Sequence, residues 1–270
     1  MRRFVLFIFI TLFCVPVGAK AKPLAYTLIA PPRQKAAATK ATYGPIAAYL
    51  TQATHEPFVF QYTNNWLTYL QDVRTNKAAV YFDGPSFIGW RIAHWHDYAG
   101  VALKGHLKFV VVTKNQGRPP TQIKDLVGRG ICAFSPPNLG TLTLDSLFPN
   151  PERQPYTIVI HTFAEGIHDI VAGKCVAAIE PFPIYKHMMA AFPGQIHMFY
   201  KIPPLPNQGF SINSSVPPAL RHKIVAALLR PAGLAATKRL RDMFGHKGLV
   251  RAKNSTYLPE RKLLDAMAGF

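Results

Sequence analysis

Two carboxylates, Asp83 and Glu180, follow short apolar runs and could do acid–base chemistry or hold a ligand. The run AAVYF leads into Asp83 and then Gly84, Pro85 and Ser86, while CVAAI leads into Glu180. Two carboxylates facing one cleft could act as general acid and base, but aspartate before Gly-Pro is also a common start of a turn. The sequence holds no nucleophile elbow, P-loop, Rossmann glycine fingerprint or H-E-x-x-H motif. We therefore expect a binding protein rather than an enzyme, with no cofactor and no metal site.

Further candidate residues lie where predicted strands end and helices begin. In open α/β sheets, ligands bind beyond the carboxyl ends of the strands, and the N–H groups of helix N-termini favour anions or carbonyl oxygens. The candidate ligand-binding residues are Asn64, Asn65, Trp66, Asp83, Gly84, Ser86, Asn138, Leu139, Gly140, Thr141, Thr162, Phe163 and Glu180. Asn64 or Asn65 could equally do no more than cap a helix.

The elements that must position these residues alternate between strand and helix patterns. LAYTLIAPP, PFVFQYT and AAVYF predict strands, and ATYGPIAAYLTQAT and NNWLTYLQDVRTN predict the helices between them. After a bridging stretch and the strand LKFVVVTK, the pattern repeats. GICAFS, YTIVIHTF and CVAAIEPFP predict strands, separated by the helices LGTLTLDSLF and AEGIHDIVAG. Two β-α-β-α-β units predict an α/β protein of two lobes, each a mainly parallel sheet flanked by helices, with a cleft between them.

The beginning of the chain has the pattern of an export leader. A short basic start, an apolar run and a small-x-small AKA pattern predict a signal peptide over residues 1–21, and the apolar run is short for a membrane span. We expect lobe 1 over residues 22–107 and lobe 2 over residues 108–200. Residues 201–270 then form a Pro-rich crossover and a return to lobe 1 with C-terminal helices.

The charge is strongly basic, with 31 Lys and Arg against 13 Asp and Glu and a formal net charge of +18. The leader contains three of the basic residues and none of the acidic ones, so the remainder carries +15. The basic residues are scattered, and KRLR at 238–241 is the densest cluster. We therefore expect no nucleic-acid partner, and a basic surface that suits an acidic exterior or an anionic membrane face.

The exported part of the chain has two cysteines, Cys132 and Cys175. An oxidising compartment would permit one disulfide between them. Both lie in apolar, strand-like segments, so buried free thiols are at least as consistent with the sequence. The two alternatives stay open.

The order of short motifs resembles the phosphate/phosphonate-type periplasmic solute-binding proteins of ABC transporters, which have the type 2 periplasmic-binding fold. The motifs are TYGPIAAYL at 42–50, NKAAVYFDGPSF at 76–87, KDLVGRG at 124–130, AGKCVAAIE at 172–180 and PPLPN at 203–207. The resemblance implies a periplasmic, two-lobed clamp that captures a small solute by hinge closure and delivers it to an inner-membrane permease. We expect it to act as a monomer.

The positions that hold the oxyanion in phosphonate binders differ in this chain. Their Ser-Thr-Ser-Gly-like run corresponds to PPNLGT, in which Thr141 is the remaining hydroxyl. Their Ser-His pair falls on Thr162 and Phe163, and their aspartate falls on Val176. Burying a dianion without enough donors is costly, so we expect a ligand other than a simple phosphonate.

Three kinds of ligand or partner stay open at this point. A sterol- or hopanoid-like lipid would suit apolar walls, with Asp83, Asn65 or Glu180 binding its polar end. A small oxyanion could still be held by helix N-termini and the basic surroundings. The protein could also be a ligand-sensing module that docks on a membrane receptor instead of a permease.

Overall fold

The structure is a computed structural model that describes residues 24–267 and Phe270. The predicted signal peptide, residues 1–21, and the expected first residue after it, Lys22, lie outside the described residues. Within the described part of the chain, no helix is both long enough and apolar enough to cross a membrane.

The chain alternates strands and helices, as the sequence predicts. The strands are β1 (Tyr26–Ile29), β2 (Phe58–Phe60), β3 (Val80–Asp83), β4 (Tyr98–Leu103), β5 (His106–Leu107), β6 (Phe109–Lys114), β7 (Gly130–Ala133), β8 (Tyr156–Val159), β9 (Ala177–Pro181), β10 (Ile196–Lys201), β11 (Leu205–Pro206), β12 (Gly209–Ile212) and β13 (Leu249–Arg251). The α-helices are α1 (Ala36–Thr54), α2 (Trp66–Arg74), α3 (Pro85–Trp95), α4 (Leu139–Asp145), α5 (Phe163–Val171), α6 (Phe182–Ala191), α7 (Pro218–Leu229), α8 (Pro231–Ala236), α9 (Lys238–Met243), α10 (Asn254–Tyr257) and α11 (Lys262–Asp265). Short 3₁₀ helices span Ile123–Leu126, Pro151–Arg153 and Leu258–Arg261.

Lobe 1 is built on a six-stranded sheet in the order β13-β4-β12-β3-β1-β2. β1 pairs in parallel with β2 and β3, which is the predicted β-α-β-α-β unit. β12 then pairs antiparallel with β3 and β4, and β13 pairs antiparallel with β4. The last part of the chain therefore completes the sheet that the first part begins.

Lobe 2 is built on a five-stranded sheet in the order β10-β6-β9-β7-β8. β7 pairs in parallel with β8 and β9, which is the second predicted unit, while β6 and β10 are antiparallel additions. Both sheets are mixed, and fewer of their strand pairs are parallel than the sequence predicts. The reason is that β12 and β6, which enter each sheet after the chain has crossed from the other lobe, lie between two strands and run antiparallel to both of them.

The chain passes between the two sheets through two short strands that pair with each other. β5 follows the strand β4 of lobe 1, β11 follows the strand β10 of lobe 2, and the two are antiparallel, with Leu205 opposite Leu107. These paired strands form the connection between the two sheets. The lobe boundaries predicted after residues 107 and 200 lie beside this pair and remain predictions.

Apolar clusters fill both faces of each sheet, as expected for sheets covered by helices. One of the clusters on the lobe 1 sheet also joins the lobes, because it combines Leu139 and Leu142 of α4 with residues of lobe 1 such as Trp66, Phe87 and Leu263. α4 follows the carboxyl end of β7, and α2 and α3 follow the carboxyl ends of β2 and β3. The carboxyl ends of the parallel strands of the two lobes therefore face each other.

Cys132 and Cys175 form a disulfide, with Cα atoms 5.8 Å apart. Cys132 lies in β7, and Cys175 lies just before the neighbouring strand β9. The parallel pairing of these strands, in which Cys132 lies opposite Ala178, brings the two sulfurs together. This decides between the two alternatives that the sequence leaves open.

Candidate ligand-binding site

Asp83 lies at the carboxyl end of β3, and its carboxylate is held by lobe 1 itself. The side chain is fully buried. Nη2 of Arg91, on α3, lies 2.6 Å from Oδ2, and the hydroxyl of Tyr69 donates a hydrogen bond to Oδ1. Asp83 therefore offers no free carboxylate to the space between the lobes, and its role as a ligand contact remains a prediction. Gly84 is the N-cap of α3, and Ser86 is buried in the first turn of that helix.

Arg91 is the centre of a buried charge cluster in lobe 1. Its guanidinium group also lies 3.5 Å from Oδ2 of Asp97, donates to Ser211 Oγ and stacks 3.9 Å from the ring centroid of Tyr81. Burial raises the pKa of Asp97 above its usual value, and the nearby Arg91 opposes that rise. Because Arg91 neutralises Asp83, the negative charge at this strand end is compensated inside the protein. Any repulsion between Asp83 and an anionic ligand is thereby much weakened.

Asn64, Asn65 and Trp66 open α2 at the edge of lobe 1. Oδ1 of Asn65 accepts the N–H of Thr68 at 2.8 Å, and Nδ2 of Asn65 donates to Oδ1 of Asn64 at 2.8 Å. Both asparagines are exposed, and Asn65 is a helix cap in this structure. Trp66 packs into the apolar cluster that joins the lobes.

The N-terminus of α4 in lobe 2 is closed by the chain's own side chain. Oδ1 of Asn138 accepts the N–H groups of Gly140 at 2.9 Å and Thr141 at 3.4 Å. The hydroxyl of Thr141 donates to the carbonyl oxygen of Phe134 at 2.6 Å. The groups that would otherwise be free to hold an oxyanion are thus engaged within the protein. Leu139 faces lobe 1 through the joining cluster.

The N-terminus of α5 is closed in the same way. Thr162 Oγ1 accepts the N–H of Glu165 at 3.1 Å, and the carboxylate of Glu165 accepts the N–H groups of His161 at 2.7 Å and Thr162 at 3.3 Å. This is a capping box, which also places a negative charge at the helix N-terminus. Phe163, the first residue of the helix, packs edge-to-face on Phe134 with ring centroids 4.8 Å apart.

Glu180 lies near the carboxyl end of β9 and is fully buried. Neither of its carboxylate oxygens has a hydrogen-bond partner, and no Lys, Arg or His within the described residues forms an ion pair with it. Burial raises the pKa of Glu180 to about 9. Glu180 is therefore the predicted site residue whose side chain most lacks a partner.

The structure brings together only part of the predicted site. Trp66 and Leu139, from opposite lobes, belong to one apolar cluster. The other predicted residues contact partners within their own lobes, and Asp83 and Glu180 do not contact each other. A pair of cooperating carboxylates, which an enzyme could use, is not formed.

Sequence reasoning missed two cations of lobe 1. Arg91 lies in the stretch between Asp83 and LKFVVVTK, for which no element was predicted. Arg33 is exposed and follows β1 and its Pro-Pro turn. Burial raises the pKa of the Tyr43 hydroxyl, and the nearby charge of Arg33 opposes that rise. The position of Arg33 beyond the end of a predicted strand could have identified it as a candidate site residue. Over residues 24–267 and Phe270, no group of three or more His, Cys, Asp or Glu side chains could hold a metal ion.

Two α/β lobes joined by the paired strands β5 and β11, with α4 packed against lobe 1, form the architecture of two-lobed periplasmic binding proteins. The chain belongs to the family described as "ABC transporter, phosphonate, periplasmic substrate-binding protein", whose model matches residues 28–257. Members of this family are transport proteins rather than enzymes, and they work in the periplasm with a small-molecule ligand and a membrane permease. The resemblance seen in the sequence is confirmed.

Solved structures of two-lobed binding proteins share the fold at low sequence identity. XAC2383 from Xanthomonas citri bound to ATP has a TM-score of 0.70 and 10% identity, covering 88% of this chain and 95% of its own. PhnD1 from Prochlorococcus marinus in complex with methylphosphonate has a TM-score of 0.68 and 12% identity, and the match covers 91% of this chain and 100% of that protein. PA3383, a binding protein component of an ABC phosphonate transporter from Pseudomonas aeruginosa, has a TM-score of 0.61 and 10% identity. The match covers 89% of this chain and 85% of that protein. No curated protein sequence matches this chain significantly.

Proposed function

We propose that this periplasmic substrate-binding protein captures an organic solute that is not a simple phosphonate and delivers it to its permease. The predicted leader over residues 1–21 would direct its export, and the hinge at β5 and β11 would allow the lobes to close on the solute. The two similar structures whose names mention phosphonates are PhnD1 and PA3383, and each shares 12% identity or less with this chain. The ligand of this chain has to be argued from its own site.

The observation that carries the proposal is the capping of α4 and α5. Asn138 occupies the N–H groups of Gly140 and Thr141, and Glu165 occupies those of His161 and Thr162. A dianion brought to these helices would lose its hydration shell and find the donors already engaged, which costs free energy. The carboxylate of Glu165 adds repulsion there.

Apolar and aromatic groups dominate the facing surfaces instead. Trp66 and Leu139 both pack against the apolar cluster that joins the lobes, and Phe163 and Phe134 pack on each other in lobe 2. Such walls, with few orienting polar groups, suit a solute with an apolar body. The family serves small-molecule transport, which does not support a sterol- or hopanoid-like lipid carrier. No particular observation favours a receptor partner over a permease.

Native mass spectrometry of the protein purified from its own periplasm tests this proposal directly. We expect an organic solute bound at one copy per chain, and no binding of methylphosphonate in calorimetric titration. The variant N138A, which frees the N–H groups of Gly140 and Thr141, should gain affinity for methylphosphonate. Tight binding of methylphosphonate by the unaltered protein would contradict the proposal.

A further inference from the structure

One face of the lobe 1 sheet is covered by a single layer of helices, α1, α7, α8 and α9. α1 contacts the other three. The hydroxyl of Tyr49, on α1, donates to the carbonyl oxygen of Ala227, on α7, at 2.9 Å. Nε of Arg239, on α9, donates to Oγ1 of Thr42, on α1, at 3.3 Å. Apolar side chains of α1, α7 and α9 pack on the sheet in one cluster, so the opposite sides of these helices form one surface toward solvent.

Basic side chains gather on this layer although they are far apart along the chain. Residues 33–54 and 218–247, which contain the four helices, hold ten Lys and Arg and a single acidic residue, Asp242. The carboxylate of Asp242 lies 2.6 Å from Nζ of Lys238. These two segments form the basic layer. Its exposed cations are Arg33, Lys35, Lys40, Lys223, Arg230, Lys238, Arg239 and Lys247.

The other parts of the molecule are much closer to neutral. The layer on the opposite face of the lobe 1 sheet, residues 66–77, 85–97 and 254–267, holds five Lys and Arg against four Asp and Glu. Lobe 2, over residues 109–201, holds eight against six. The basic layer therefore carries a formal charge of +9, against +1 and +2 for these other parts. A field of one sign on one face attracts an anionic partner to that face.

The basic layer lacks the apolar side chains that a stable protein partner would need. Among the described residues, the large apolar side chains that are exposed all lie outside α1, α7, α8 and α9. Protein interfaces draw most of their affinity from a desolvated, often aromatic centre. Cations spread over four helices without such a centre match a broad and uniform array of negative charge instead. A bilayer surface of anionic phospholipid is such an array.

We propose that the basic layer docks on anionic phospholipid bilayers and so holds the protein at the membrane that contains its permease. The family works in the periplasm with a membrane permease, so such a surface is within reach. Phospholipid is the docking surface in this proposal and not the transported solute. The layer covers a face of the sheet, whereas the candidate ligand-binding residues lie at strand ends, so docking leaves the cleft free for solute capture.

Vesicle co-sedimentation of the protein purified from its own periplasm tests the docking directly. Vesicles of equimolar phosphatidylcholine and phosphatidylglycerol are compared with vesicles of phosphatidylcholine alone. We expect binding to the mixed vesicles in dilute buffer and little binding to the neutral ones. Binding should be lost in about 1 M salt, where the Debye length falls to about 3 Å and each charge is screened.

A triple variant removes three exposed cations of the basic layer. K40Q/K223Q/R230Q changes α1, α7 and the junction between α7 and α8. Each Lys or Arg near an anionic surface contributes about fivefold to the affinity, so binding to the mixed vesicles should weaken roughly hundredfold. The three side chains are exposed, and an unchanged circular dichroism spectrum and melting temperature would show that the fold is kept.

The matched control removes the same amount of charge from lobe 2. R118Q/K124Q/R153Q replaces three exposed cations outside the basic layer. If the layer itself docks, this variant should bind the mixed vesicles about as tightly as the unaltered protein. A loss equal to that of the first variant would mean that total charge alone attracts the protein, which would overturn the proposal.

Energy transfer to lipids that carry an acceptor on the headgroup gives the orientation. A donor fluorophore attached through A48C lies on the exposed side of α1, and one attached through Q71C lies on α2, on the opposite face of the sheet. Transfer from A48C should be the more efficient. Equal transfer from both positions would contradict docking through the basic layer.

Three further results would overturn the proposal. They are no binding to the mixed vesicles in dilute buffer, equal binding to the neutral vesicles, and binding only to vesicles that contain the permease. The last result would assign the basic layer to a protein partner. Each of them leaves the capture of a solute in the cleft unaffected, since solute binding is measured in the absence of vesicles.

Discussion

Asp83 and Glu180 occupy matching places in the two lobes, yet their surroundings are opposite. Each lies at the end of the third strand of a β-α-β-α-β unit, and each is fully buried. Lobe 1 supplies Asp83 with Arg91 and Tyr69, whereas lobe 2 encloses Glu180 in apolar side chains. Where the protein completes the charge pair, the carboxylate supports the fold. Where it does not, the carboxyl group stays buried without a partner, and burial raises its pKa to about 9.

Replacing Arg91 should have the largest effect on stability. R91M leaves Asp83 and Asp97 buried without a cation, so we expect the free energy of unfolding to fall by about 3 to 5 kcal/mol. Urea denaturation measures the loss. R221M is the matched control, because Arg221 also stacks on a tyrosine, at 3.7 Å from the ring of Tyr98, but is only partly buried. A loss for R91M as small as that for R221M would show that the cluster does not support lobe 1.

Removing the disulfide should weaken lobe 2 to a somewhat smaller extent. Cys132 and Cys175 are 43 residues apart, and a cross-link of that span restricts the unfolded chain. The double variant C132A/C175A should lose about 2 to 4 kcal/mol of unfolding free energy. Reduction of the unaltered protein with dithiothreitol should give a similar loss without altering the core. Unchanged stability in both cases would mean that lobe 2 does not depend on the cross-link.

Glu180 should make stability fall as the pH rises, which is opposite to the behaviour of a paired carboxylate. The folded protein keeps a proton that the unfolded chain releases above about pH 4.5, so the contribution is fully present below that pH and is lost toward pH 9. Between pH 4.5 and 7 the loss should be about 3 kcal/mol. E180Q should lack this decline when unfolding is measured across the range. Parallel pH profiles for E180Q and the unaltered protein would refute the unpaired state of Glu180.

Removing the hydroxyl of Tyr69 should have the smallest effect. Y69F takes one donor from Asp83 but leaves Arg91 in place, so we expect a loss of about 1 kcal/mol in unfolding free energy. Thermal and urea unfolding of Y69F beside R91M give the comparison. If Y69F lost as much as R91M, the hydroxyl and not the guanidinium would be the main partner of Asp83.

The sequence predicted the elements better than the contacts of their side chains. The strand and helix patterns around β1 to β3 and β7 to β9 were sufficient, because apolar periodicity reports which elements are buried. The helix α3 was missed, and with it Arg91, because FIGWRIAHW is apolar nearly throughout and has no polar face to set a period. Arg91 pairs with Asp83 because of how α3 packs on the sheet, and this packing cannot be read from the sequence.

The candidate site could be predicted as a region but not in its details. Strand ends indicated Asn138, Thr162 and Glu180 correctly as residues near helix starts. Whether an asparagine caps its own helix or faces a ligand depends on side-chain rotamers, and Asn138 turns inward to Gly140 and Thr141. The absence of a partner for Glu180 could not be predicted either, since it follows from the neighbours that β6 and α5 contribute from distant parts of the chain.

The double passage of the chain through β5 and β11 also affects how the protein reaches its fold. All five strands of lobe 2 lie within the continuous stretch from Phe109 to Lys201. The sheet of lobe 1 needs β12 and β13, which come after that stretch, to pair with strands made long before. As the chain emerges, lobe 2 can therefore assemble from neighbouring segments, while lobe 1 has to wait for its last strands. The lobe that encloses Glu180 is the one able to fold first.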